Sequence, residues 1–328
     1  MILVTGATGM VGAHVLVRLL EKQQQVRALY RSEAKIQQLA KSSLFNGKEH
    51  LFETIEWVKA DIRDVPALEF AFIDVDEVYH CAGFISFNPK DYRNLRTINI
   101  DGTANVVNFC IAKQVKKLCY VSSIATLGNP DKDGVVTEKC FWNPDEDHHV
   151  YGITKYGAEM EVWRASQEGV PVVIVNPGVI FGADMSSKSM DVFKQVKKGL
   201  SFYTEGGSGF VSVDDVVTIM LRLMESTIKN ERFIVVSENL SYQTLVTEVA
   251  KAVNAKIPSK KATKSLLRTV QFLDWIRGIF TGGSRSFTKY TVQSLHTQTS
   301  YSTDKIKEAI DFEFEPMDKV IQRYGTSF

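Results

Sequence analysis

The chemistry in this sequence concentrates in V-Y-G-I-T-K at 150–155, where Tyr151 and Lys155 stand four residues apart. On a helix an i, i+4 pair shares one face, with Cβ atoms about 6 Å apart. A free phenol titrates near 10 and is a poor acid–base group at neutral pH. An ammonium beside it stabilises the phenolate and makes the tyrosine a usable proton donor and acceptor. The same lysine can bond the hydroxyls of a ribose. Such a pair occurs by chance on many helices, so it needs company. C-Y-V-S-S-I-A-T-L-G at 119–128 supplies it. Ser122 and Ser123 close a run of strand-forming residues, at the carboxyl end where open α/β sheets bind ligands. Two serines there also suit a plain turn. A hydroxyl at that place can donate to a carbonyl oxygen as charge develops on it.

A second reactant is implied at the N-terminus, I-L-V-T-G-A-T-G-M-V-G at 2–12. Gly6 permits a tight turn, Gly9 lets backbone N–H groups approach a pyrophosphate, and Gly12 lets the following helix pack on the strand. Thr8, Met10 and Val11 fill the remaining positions of the cradle. The spacing is G-x-x-G-x-x-G, and its place between a strand and a helix separates it from an ordinary glycine-rich turn. The end of the second strand decides which nicotinamide dinucleotide fits. An acid there would accept from a ribose 2′-OH, whereas an arginine suits a 2′-phosphate. A-L-Y-R-S at 28–32 has Arg31 and Ser32 and no acid. NADP(H) is expected over NAD(H), which remains the other cofactor the loop could take.

These groups need a parallel sheet to position them. Short β-branched runs alternate with longer amphipathic ones, the pattern of βαβ units. Strands are predicted at Ile2–Thr5, Gln25–Tyr30, Glu56–Lys59, Glu77–His80, Leu118–Ser122 and Pro171–Asn176, with helices near 10–22, 33–41, 66–71, 91–113 and 150–168. Ser42–Glu53 is polar and reads as an insertion. Gly206–Gly209 reads as a turn. Phe210–Val213, a helix from Asp214 to Glu225 and a strand Arg232–Val236 then read as a return to the sheet. The fold expected is α/β, a Rossmann-type doubly wound sheet over 1–176 plus about 210–239. A smaller, mostly helical substrate-binding lobe is expected from 177–209 plus 240–328.

The 39 basic and 38 acidic residues among 328 leave a net charge of +1, which gives no reason to expect nucleic acid or an anionic membrane as partner. Cys81, Cys110, Cys119 and Cys140 form no C-x-x-C pair, so reduced thiols and a cytoplasmic location are expected. The first strand begins too early for a signal peptide. Leu266–Phe280 is apolar at helical spacing but carries Arg268, Asp274 and Arg277, and reads as a packed helix rather than a membrane anchor. Glu138, Asp145, His148 and His149 lie in a polar loop before Tyr151 without metal-ligand spacing, so no metal is expected and a solvated loop edge is.

Taken together, the motifs resemble the extended short-chain dehydrogenase/reductase superfamily over nearly the whole chain. T-G-A-T-G-M-V-G at 5–12, A-D-I-R-D at 60–64, H-C-A-G at 80–83, N-I-D-G-T at 99–103, V-S-S at 121–123 and Y-G-I-T-K at 151–155 carry the likeness. N-P-G-V-I-F-G at 176–182 and F-V-S-V-D-D-V at 210–216 extend it. V-R-A-L-Y-R at 26–31 and V-I-V-N-P at 173–177 are closest to the branch of dihydroflavonol reductases and hopanoid-associated epimerase-like proteins. The resemblance implies that Ser123 polarises a carbonyl, Tyr151 exchanges the proton and Lys155 tunes Tyr151 while holding the ribose. It implies that Asp61 and Ile62 flank the adenine, and that Cys81, Ala82, Gly83 and Ser122 line the cofactor. Pro177, Gly178, Val179 and Ile180 would wrap the nicotinamide end, and Asn99 would be an active-site asparagine. Phe84, Ser86, Phe87 and Phe181 would join Ser123 and Tyr151 around a small, apolar carbonyl substrate, with Phe141, Trp142, Phe202 and Tyr203 nearby. A homodimer through helices 91–113 and 150–168 is implied, with Phe109, Met160 and Trp163 as candidate contacts.

The reaction expected is hydride transfer from NADPH to a ketone or aldehyde, with Tyr151 protonating the alkoxide. Two alternatives stay open: a nucleotide-sugar epimerase or dehydratase, and a sensor that only binds NADP(H). Retention of Ser123, Tyr151 and Lys155 speaks against the sensor. Ser208 and Gly209 stand where related sugar epimerases place an Arg-Asp pair, and Ser212 replaces a common histidine, which speaks against a sugar diphosphate.

Overall fold

The computed structural model describes residues 1–130, 133–182, 190–263, 265–267, 289–326 and 328. Most of the expected 266–280 helix lies outside the described residues.

Seven short strands form one sheet: β1 (Ile2–Thr5), β2 (Val26–Tyr30), β3 (Glu56–Lys59), β4 (Glu77–His80), β5 (Lys117–Val121), β6 (Val172–Pro177) and β7 (Glu231–Val235). Their order is β7-β6-β5-β4-β1-β2-β3, every pairing parallel. The central strands carry the β-branched runs because both faces are covered, and residues 2–5, 118–120 and 172–175 are buried throughout. Helices Met10–Glu21 and Val213–Glu225 pack on one face, sharing a core with Val4, Val173 and Phe233. Helices Val65–Ala71, Gly102–Ala112 and Val150–Gln167 cover the other face over Leu3, Val78 and Tyr120. At about 1.5–3 kcal/mol for each large side chain withdrawn from water, these two layers hold the strand ends rigidly. The order reverses between β4 and β1, and that crevice is where such sheets bind nucleotides.

The helix expected at 91–113 is continuous from Tyr92 to Ala112 but widens into a π-helical stretch at Arg96–Asp101. Wide turns of this kind re-aim side chains at functional sites, and this one carries Asn99. Phe109 stacks on Phe72 with ring centroids 5.3 Å apart, and the indole N–H of Trp163 faces Glu159. Of the three side chains proposed for a dimer contact, Met160 alone is exposed.

Two expectations are corrected. The stretch Gly206–Gly209 is not a turn: Gly207–Ser212 is a strand, parallel to Val179–Phe181 and antiparallel to Glu238–Ser241 in a separate three-stranded sheet. The glycines serve close packing there, since a Cβ on Gly207 would lie 2.7 Å from Leu240 O. Only the helix Val213–Glu225 and β7 return to the main sheet. The polar 42–53 insertion carries a buried anchor. Phe45 is fully buried and meets Phe52 edge-on at 4.9 Å, which pins the short helix Glu49–Phe52 beside Trp57. Much of the remaining described chain builds a core around Phe181, Phe193, Phe210, Val249 and Ile321, while Ile306, Phe312 and Phe314 join the core under the main sheet. Among the described residues no helix is long and apolar enough to cross a membrane.

Candidate active site

Between β1 and helix Met10–Glu21 the chain must turn within a few residues, and Gly6 does so at φ +65°. A Cβ on Gly6 would lie 2.6 Å from Ala82 N, and one on Gly12 would lie 2.3 Å from Gly6 O. No side chain could fit at either position. Gly9 caps the helix with no side-chain hydrogen bond, and no acid sits in the first turn. The first N–H groups of the helix are therefore left for a ligand, with the positive end of the dipole behind them. This loop fits a dinucleotide pyrophosphate. Cys81 N donates to Thr5 O and Ala82 N to Thr5 Oγ1, so the turn after β4 lies directly against the cradle.

At the ends of β2 and β3, Asp61 draws two cations together. Arg63 forks onto its carboxylate at 2.8 Å through Nε and Nη2, and Arg31 Nη1 approaches to 3.5 Å. The hydrogen bond from Arg63 holds the Asp61 carboxyl down at about 2. Ser32 caps the helix Glu33–Ala40 without bonding it, leaving a hydroxyl and a helix N-terminus beside Arg31. Ile62 is buried and packs under Gly102, where a Cβ would meet it at 2.6 Å.

Helix Val150–Gln167 begins at His149, whose Nδ1 accepts from Gly152 N at 2.8 Å. That cap sets Tyr151 in the first turn. Tyr151 lies against the Ser123 hydroxyl, which opposes a burial that pushes the phenol up to about 12. Ser123 also accepts from Ala125 N at 3.2 Å, fixing the 3-10 turn that follows β5. Lys155, one turn further along the helix, is 4% exposed. Its Nζ donates to Tyr120 Oη at 2.5 Å and to Val121 O at 2.8 Å. Burial pulls the ammonium down to about 7, opposed chiefly by Glu159. Beneath it, His80 bonds Thr5 Oγ1 at 2.6 Å and Thr103 Oγ1 at 2.9 Å and stacks on Tyr120 at 5.3 Å. Burial pushes this imidazole down to about 3, so it is neutral.

Several expected contacts lie elsewhere. The Ser122 hydroxyl donates to Glu159 Oε2 at 2.5 Å. Asn99 spends its amide on Phe84, accepting from its N–H and donating to its carbonyl, and on Thr154 Oγ1. Ser86 donates to Asp91 and accepts from Asn88 N, closing a local turn. Phe181 is 1% exposed and lies between Phe193 and Phe210 in the core of the second lobe. Phe87 does approach the site, its ring 5.5 Å from Tyr151 and 5.1 Å from His149 while 43% exposed. Phe84 is half-buried and Val179 and Gly83 are exposed, while Ile180 packs into the sheet core. Gly178 N donates to Val235 O, which joins the segment after Pro177 to β7. The loop before Tyr151 keeps an exposed edge at Asp145 but is tied down at Glu138 and Trp142. Glu138 accepts from Ile234 N and, through its carbonyl, from Arg232, while Trp142 stacks between His148 and Tyr156 at 3.5 and 4.7 Å.

Sequence reasoning missed Glu159, Arg232, Tyr120 and His80. Glu159 had a signal: it continues the Tyr151–Lys155 spacing by one more turn.

With this geometry in view, comparison with known proteins is direct. The NAD dependent epimerase/dehydratase family matches residues 2–236. The chain belongs to that family and is an NAD(P)-dependent oxidoreductase of the extended short-chain dehydrogenase/reductase type. Similar proteins include sterol demethylase protein B of Methylococcus capsulatus, 29% identical and aligned over 72% of this chain and 70% of that one. Cinnamoyl-CoA reductase 1 of Petunia hybrida is 27% identical over 75% of each chain. Among solved structures, gox2253 superposes with a TM-score of 0.80 at 24% identity, covering 100% of this chain and 98% of that one. The UDP-glucose 4-epimerase of Thermotoga maritima superposes with a TM-score of 0.75 at 19% identity, covering 99% and 98%. These two share the fold.

Proposed function

We propose that this protein is an NADPH-dependent reductase of a ketone or aldehyde on a small, apolar molecule. The observation that carries the proposal is the Ser123 hydroxyl set against Tyr151, with Lys155 buried behind it and the exposed ring of Phe87 against Tyr151. Two hydroxyls meeting at one point converge on a carbonyl oxygen. When bound, the nicotinamide dinucleotide supplies the hydride. Ser123 donates to the substrate oxygen and stabilises the charge that develops there. Tyr151 gives its proton to the same oxygen, and the Lys155 cation stabilises the phenolate left behind. Gly6, Gly9 and Gly12 seat the pyrophosphate. Arg31, with Ser32 and the N-terminus of the next helix, favours a 2′-phosphate and hence NADP(H).

The reductases among the relatives support a carbonyl substrate. A nucleotide sugar fits less well. Gly209 lies under Val236, where a Cβ would come within 2.6 Å, and the Ser212 hydroxyl caps helix Val213–Glu225 through Asp215 N. Neither offers a charge to a diphosphate. The test is a panel of aromatic and aliphatic ketones and aldehydes scored by loss of NADPH absorbance, beside UDP-glucose scored for C4 epimerisation. Reduction of an apolar carbonyl compound is expected. Epimerisation of UDP-glucose without any carbonyl reduction would replace this reading with the epimerase one.

A further inference from the structure

We infer that Glu159 is a positioning residue for the proton-transfer pair, the buried counter-ion that keeps Lys155 charged and the tie that registers the serine turn against its helix. The inference rests on the roles proposed above for Tyr151 and Lys155. Glu159 is wholly buried, one turn beyond Lys155 and two beyond Tyr151 on the same helix face. Its Oε2 accepts from Ser122 Oγ at 2.5 Å, Thr126 Oγ1 at 2.8 Å and Asn176 Nδ2 at 2.9 Å. Its Oε1 accepts from Arg232 Nη1 at 3.1 Å and Trp163 Nε1 at 3.4 Å. One carboxylate thus joins the end of β5, the turn after Ser123, the end of β6 and β7 to the helix that carries the acid.

Holding elements together does not require a charge. A buried carboxylate is costly, and apolar side chains of similar volume fill such a place at least as well. A charge here has one direct partner, Arg232 at 3.1 Å, and Lys155, one turn back on the same helix face, also needs one. Its two acceptors, Tyr120 Oη and Val121 O, are neutral. The other titratable groups around it are His80 on β4, Cys81 beyond it, Tyr120 on β5 and Tyr151 on its own helix. Burial holds His80 neutral, the Cys81 thiol at about 12, Tyr120 well above the ordinary phenol range and Tyr151 at about 12. Among the described residues, Glu159 is the anion facing Lys155, and it pulls the lysine upward against burial. Arg232 on β7 faces the same carboxylate from the other side, its fork anchored on Glu138 O. Two buried cations share one anion. Neutralising Glu159 leaves two unmatched cations, whereas neutralising Arg232 leaves Lys155 its full partner.

The two substitutions should therefore act in opposite directions, which loosened packing would not produce. Glu159→Gln and Arg232→Gln would be titrated with NADPH and with NADH by fluorescence from pH 6 to 10. Weakening of cofactor affinity on the alkaline side reads the loss of the Lys155 proton. Its midpoint is expected to fall by about one pH unit in Glu159→Gln and to rise in Arg232→Gln. Midpoints that move together, or do not move, overturn the inference. Should Glu159→Gln fail to fold, Arg232→Gln decides alone, and an unmoved or lowered midpoint overturns it. Cofactor binding needs no substrate, so the result is separate from the reductase reading. Opposite shifts without any carbonyl reduction would sink that reading and leave this one standing.

Discussion

The two ends of the ligand-binding edge of the sheet hold their charges in opposite surroundings. At the β2–β3 end, Arg31 and Arg63 are 66% and 47% exposed around Asp61. At the β5–β6 end, Lys155, Glu159 and Arg232 are all buried. Ion pairs facing water contribute about 0–1 kcal/mol and exchange partners freely. A buried cation, in contrast, keeps its charge only through groups placed for it. The exposed end is thus suited to trading a carboxylate for an incoming phosphate without repacking. The buried end is suited to holding a proton at one place, and substitutions there should cost far more.

The largest effect is expected at the buried end. Tyr151→Phe removes the proton donor and keeps the ring on Phe87, so kcat should fall about 10²–10⁴-fold. The NADPH dissociation constant should stay within about threefold, because the phenol does not hold the cofactor. Steady-state kinetics beside a fluorescence titration checks both. Loss of binding together with rate would mean that Tyr151 is structural, and the comparison would break.

Next comes the cradle, rigid but open to ligand. Gly12→Val places atoms where Gly6 O already stands, 2.3 Å from an ideal Cβ. Overpacking of this kind costs about 1–3 kcal/mol or more. Thermal melting should drop by several degrees and neither dinucleotide should bind. A variant that binds NADPH normally would show that the loop can rearrange.

How much of this was legible before the structure follows the same division. The seven strands of the sheet and the helices around them are local patterns, and each predicted strand end falls within one residue of the observed one. The glycine loop and Tyr151–Lys155 were legible because their chemistry is written within a few residues. Side-chain direction was not. Ser122 and Ser123 are adjacent, yet strand alternation turns one to Glu159 and the other to Tyr151. Phe181 follows a loop near the site but faces the second lobe, and Asn99 faces Phe84. Glu159 continues the spacing of Tyr151 and Lys155, but its partner Arg232 lies 73 positions away. Partners that distant leave no local pattern.

A smaller effect is expected at the exposed end. Arg31→Asp replaces the cation proposed to meet a 2′-phosphate with an acid that can accept from a 2′-OH. A hydrogen bond to a charged group is worth about 1.5–3 kcal/mol, so the ratio of NADPH to NADH affinity should fall about 10- to 100-fold. Fluorescence titration of both cofactors measures it. Wild-type protein that binds NADH more tightly than NADPH would remove Arg31 from this role.

The smallest effect sharpens the comparison because its sign is fixed. Asp61 is held down at about 2, first by its hydrogen bond from Arg63, against an ordinary value of 3.8. A carboxyl depressed in the folded state binds fewer protons there than in the unfolded chain, so it adds stability above pH 4. That contribution should fade as pH falls through 4 toward 2 and vanish below. Arg31 and Arg63 both face water, so screening leaves well under the full linkage value, about 1 kcal/mol or less. Asp61→Asn should therefore melt slightly below wild type at pH 7, with the gap closing by pH 2 and narrowing in high salt. The buried lysine gives a slope of the same sign in a higher pH window, with the deficit on the acid side. Its folded value near 7 lies below the 10.5 of a free lysine, so the unfolded chain binds more protons between those limits and stability rises with pH there. Lys155→Met should remove that slope, and the gap between variant and wild type should be widest below pH 7. A gap that stayed level from pH 6 to pH 10 would mean that Lys155 stays charged throughout, and that the buried end holds its cation no less comfortably than the exposed one.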